Sequence, residues 1–175
     1  MIKLLEIRGI ELKAHWSFFL IIPILISLSF YFKLTKTTFL RLSLFFGLVF
    51  IFVILHELGH ALTAKRYKVK TKDIILTPVG GIARLESLPT NPIHEFLIAL
   101  AGPLINLLIA LVLLVGLYFF DKTDFLQRDK LLIELVGSPL GFLYLSVLTN
   151  AFLFLFNLFP AYPICLLYTS PSPRD

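Results

Sequence analysis

Apolar positions fall into four long runs divided by short polar segments: about His15 to Phe32, Leu40 to Ala64, Ile93 to Phe120 and Leu140 to Phe159. Runs of this length predict helices that cross ~30 Å of hydrocarbon. Trp16 and Phe30–Tyr31–Phe32 suit the two interfaces of the first run, which Pro23 is expected to kink. Two stretches follow a different period. MIKLLEIRGIELKA alternates in part around Gly9, as a strand, turn and strand on the membrane surface or as a frayed amphipathic tail. DIILTPVGGIARLE carries β-type runs around Pro78 and Gly80–Gly81, as a plain surface hairpin or a strand bent back toward the membrane. Its free edge could hold an extended peptide by strand addition. Asn91–Pro92 reads as a helix cap and a first-turn proline. Pro160 and Pro163 stop the last helix.

One run breaks the apolar pattern. IFVILHELGHALTAKR carries His56, Glu57 and His60. Each charge near mid-membrane costs roughly 2.5–3.5 kcal/mol, so these groups need a partner. Residues four apart share a helix face, so both imidazoles reach one point, and neutral imidazoles at that spacing suit Zn²⁺. Glu57 stands beside such a metal and could take a proton from a water whose pKa the cation lowers toward ~7. His15 and His94 read as interfacial residues, and Asn106, Asn150 and Asn157 as polar groups seeking partners inside the helices.

Composition agrees with one domain embedded in a membrane: 175 residues, 58% hydrophobic and 15% charged, with a mean hydropathy of +0.89. The net charge of +5 lies in loops with no aromatic-interleaved basic stripe, so no nucleic-acid partner is expected. Cys165 alone allows no internal disulfide, and no cleavable signal peptide is evident. The amino-terminal tail and second loop carry nine Lys and Arg against six in the first and third loops. That bias predicts a cytoplasmic amino terminus, with the histidines near the cytoplasmic face of a prokaryotic cell membrane. Oligomeric state and physiological substrate are not readable.

HELGHALTAKRY, LTPVGGIARLE, EFLIALAGPLINLLIA and NLFPAYP, in that order, resemble the site-2 protease family of intramembrane zinc metalloproteases, peptidase family M50. The resemblance covers about residues 8–164. It implies an all-α polytopic fold of about four membrane helices, an incomplete protease core, with a small membrane-associated β element. It implies hydrolysis of peptide bonds in or near the membrane segments of protein substrates. His56 and His60 would bind Zn²⁺ and Glu57 would be the general base. Asn157 would position substrate or stabilise the oxyanion, Asn106 would lie near the site, and Gly80 and Gly81 would belong to the β element that docks substrate.

The family's third ligand is an aspartate, expected after Ile164, where this chain has Cys165. The last eleven residues, CLLYTSPSPRD, match in frame the translation of a transposase sequencing adapter. Native sequence is therefore expected over 1–164, with 165–175 a non-native tail, and the truncated chain is expected to be inactive. The competing readings are a membrane metal-binding or ion-handling protein, and a binding scaffold without catalysis. The first of these requires further charged groups at mid-membrane, where only asparagines occur.

Overall fold

A computed structural model describes residues 1–87, 89–120 and 138–158. The elements run β1 (Ile2–Ile7), β2 (Ile10–Ala14), a 3-10 turn (Trp16–Leu20), α1 (Ile21–Tyr31), α2 (Lys36–Arg66), β3 (Thr71–Thr77), β4 (Gly80–Leu85), α3 (Pro92–Phe120) and α4 (Pro139–Leu158). Among the described residues α2, α3 and α4 are long and apolar enough to cross a bilayer, while the first apolar helix, Trp16–Tyr31, is shorter. The chain is a multi-pass membrane protein. Pro23 sits in the opening turn of α1, a position that tolerates proline. The second helix starts earlier than its apolar run, because Thr35 Oγ1 accepts from Thr38 N at 3.2 Å and caps it.

The two alternating stretches join. They form one four-stranded sheet in the order β1-β2-β3-β4. The outer pairs are antiparallel hairpins, whereas β2 and β3 run parallel, Glu11 beside Asp73 through Ala14 beside Leu76. A parallel pair needs a crossover, and here α1 and α2 supply it. The β1–β2 turn places Arg8 and Gly9 in the left-handed region, at φ 50° and 83°. Ile10 and Leu12 of β2, Ile74 and Leu76 of β3 and Ala83 of β4 form one buried cluster with Ala61 of α2. That packing sets the sheet against the carboxy-terminal half of α2. Gly59 lets α3 approach from another side: a Cβ there would lie 2.7 Å from Ile105 Cδ1 and 2.9 Å from the Ala101 carbonyl oxygen.

Asp73 is a charged residue within the sheet whose side chain has no exposure. Burial opposes its charged form. Hydrogen bonds from Arg84 (Nε at 2.6 Å, and Nη2) and from Lys13 (2.9 Å) outweigh burial and hold its pKa below the ordinary carboxylate value. A depressed folded pKa gives stability that is complete above the unfolded value, about 3.9, and is lost as pH falls through the folded one. Asp73→Asn is expected to cost on the order of 2 kcal/mol at neutral pH. Denaturant unfolding in detergent should show that difference shrinking below pH ~4.

Candidate active site

His56, Glu57 and His60 occupy the part of α2 that the sheet and α3 enclose, and all three are buried. The two Nε2 atoms are 3.0 Å apart and the rings cross at 80°. Two nitrogens bound tetrahedrally at 2.0–2.1 Å stand roughly 3.3 Å apart, so this pair is close to that spacing. His60 Nδ1 lies 2.7 Å from the Ile98 carbonyl oxygen. A carbonyl only accepts, so His60 Nδ1 carries the proton and its Nε2 presents a lone pair. His56 Nδ1 lies 3.1 Å from Asn106 Nδ2.

Gly102 on α3 closes the other side. A Cβ there would overlap His60 Nε2 and lie 2.6 Å from its Cε1 and 2.8 Å from His56 Nε2. The absence of a side chain at 102 leaves room for both rings. Glu57 turns toward the sheet, where its Oε2 accepts from Ala83 N of β4 at 3.0 Å. Gly81 makes way for it, since a Cβ there would be 2.6 Å from Glu57 Cγ.

The expected residues therefore divide. His56, Glu57, His60, Asn106 and Gly81 come together. Gly80 forms the β3–β4 turn at φ 144°, and its carbonyl accepts from Thr77 Oγ1 at 2.9 Å. Asn157 is exposed on α4, donating to Leu153 O of its own helix at 2.7 Å. It shares a helix side with the fully buried Asn150 but lies two turns further on. His15 caps the 3-10 turn through Ser17, and His94 stacks on Tyr67 at 4.1 Å. Among the described residues no group of three or more His, Cys, Asp or Glu could hold a metal, and Cys165 lies outside them. Two convergent imidazoles, a ring-sized gap at Gly102 and a fixed histidine tautomer fit part of a zinc centre. Sequence reasoning missed Gly102 as a site residue, and missed the Ile98 carbonyl and the Ala83 amide. HELGH and AGP were the available signals for close helix approach.

Residues 44–140 match the family profile described as Peptidase family M50, which is more than half of the chain. The chain belongs to peptidase family M50. A zinc metalloprotease of Methanocaldococcus jannaschii is 38% identical over 163 residues, 93% of this chain and 42% of that protein. Stage IV sporulation protein FB of Bacillus subtilis is 30% identical over 108 residues, 54% of this chain and 38% of that protein. The solved structure of the site-2 protease from Methanocaldococcus jannaschii superposes with a TM-score of 0.67 at 36% identity. That match covers 93% of this chain and 66% of the solved one. This M50 chain thus spans less than half the length of these two relatives.

Proposed function

We propose that the complete parent of this M50 chain is an intramembrane zinc metalloprotease that hydrolyses peptide bonds in or beside the membrane segments of other proteins. The observation that supports it best is the pair of imidazole nitrogens 3.0 Å apart with Glu57 next in sequence and anchored to β4. His56 and His60 would hold the cation through Nε2. A bound Zn²⁺ would polarise the scissile carbonyl and lower the pKa of the attacking water. Glu57 takes the proton of that water and returns it to the leaving amine. The Ala83 amide keeps the Glu57 carboxylate on the sheet side of α2, where Gly81 leaves it space. Burial of His56, Glu57 and His60 among α2, α3 and the sheet strengthens charge interactions between them. A helical substrate shields its amides by its own hydrogen bonds, so it must unwind locally before attack. The amino terminus is assigned to the cytoplasm, which sets the site near the inner face. The test is cleavage of a membrane-protein substrate in nanodiscs by the complete parent protein and by its Glu57→Gln variant. Cleavage that persists in the variant refutes the assignment.

A further inference from the structure

Asn106 lies on α3 one helical turn beyond Gly102, with no exposed surface. Its amide nitrogen meets His56 Nδ1, while its Oδ1, equally buried, has no hydrogen-bond partner among the described residues. A buried unpaired carbonyl oxygen is costly and calls for an explanation. A half-turn of the amide exchanges donor for acceptor in the same space.

The two orientations give His56 different chemistry. With Nδ2 toward the ring, Asn106 donates to the Nδ1 lone pair, so the His56 proton sits on Nε2. His60 Nε2 can then accept it, because the His60 proton is committed to Ile98. In that tautomer His56 presents an N–H to the point where the two rings meet. With Oδ1 toward the ring, Asn106 accepts Nδ1–H and both Nε2 atoms present lone pairs. Only the second arrangement can ligate a cation.

We propose that Asn106 is the positioning residue that sets the His56 tautomer, turning its amide so that Oδ1 takes the Nδ1 proton when the cation is held. The inference rests on the zinc-site reading above. One proton stays on the neutral ring throughout, moved from Nε2 to Nδ1, and none is released. The half-turn leaves the Nδ2 hydrogens where the unpaired oxygen was. His60 is held by a backbone carbonyl that cannot change role, whereas His56 meets the Gly102 carbonyl and also Asn106, whose amide can. The pair thus has one permanent and one convertible ligand.

The test uses the protein in lipid nanodiscs with ¹⁵N-labelled histidine, titrated with zinc. NMR is expected to show the His56 proton on Nε2 without zinc and on Nδ1 with it. Asn106→Leu, which offers neither donor nor acceptor, should weaken zinc binding about 10–100-fold. Asn106→Asp, an acceptor when ionised, should keep tight binding and show Nδ1–H with zinc bound. Undiminished binding in Asn106→Leu, an equal loss in both variants, or an unchanged His56 tautomer on zinc addition overturns the proposal. Zinc binding that is absent from the unaltered protein, or that survives His60→Ala, overturns the site assignment itself and the proposal with it.

Discussion

Gly102→Ala in the complete parent protein is expected to abolish zinc binding and proteolysis. The added methyl would overlap His60 Nε2 and lie 2.8 Å from His56 Nε2, closer than Cβ atoms approach any group. Neither ring can simply step aside, because Ile98 O holds one and Asn106 the other. The helix cannot easily retreat either, since α2 and α3 touch closely at Gly59 and Ala101. If α3 does give way, overpacking costs about 1–3 kcal/mol and the rings lose their common point. A displacement of ~1 Å at reacting groups lowers rate about 100-fold, and here both ligands move. Gly116→Ala is the matched control on the same helix, because a Cβ there meets only Leu143 Cδ2 at 4.0 Å. Zinc content and cleavage rate should fall in the first variant and hold in the second.

Glu57→Gln in the complete parent protein is expected to remove catalysis while sparing the metal. Glutamine keeps the shape of the side chain, and its carbonyl oxygen can still accept from Ala83 N. The side chain should therefore stay in place, and the two imidazoles are unaltered. What is lost is the basic lone pair. General-base assistance contributes about 10²–10⁴ in rate, and the cleavage rate should fall by that amount. Zinc bound per protein should stay unchanged. A variant that loses zinc together with activity would place Glu57 on the metal instead of beside it.

Side-chain chemistry at local spacing was legible before the fold was known. His56 and His60 share a face because helix geometry fixes positions four apart, and Glu57 follows from its place between them. The partial alternation of residues 1–14 left a strand pair and a frayed tail both open, and the strand pair is found, with Ile10, Leu12 and Ala14 buried. Non-local and backbone contributions were hidden. The parallel pairing of β2 with β3 joins residues some sixty positions apart, and no short-range pattern encodes it. The Ile98 carbonyl and the Ala83 amide act through groups that every residue carries, so their identity signals nothing. Gly102 gave no signal of its own as a site residue, because the space it leaves for the rings exists only once α2 lies against it. Asn157 shows the limit of a family resemblance: it implied a place at the site, whereas the side chain lies exposed on α4 and donates to Leu153 O of its own helix.

The central claim is a cation shared by His56 and His60, and zinc-edge X-ray absorption on the protein in nanodiscs tests it most directly. The account predicts two imidazole nitrogens at about 2.0–2.1 Å, with one imidazole lost in His56→Ala and one lost in His60→Ala. An unchanged coordination shell after both histidines are replaced would contradict it.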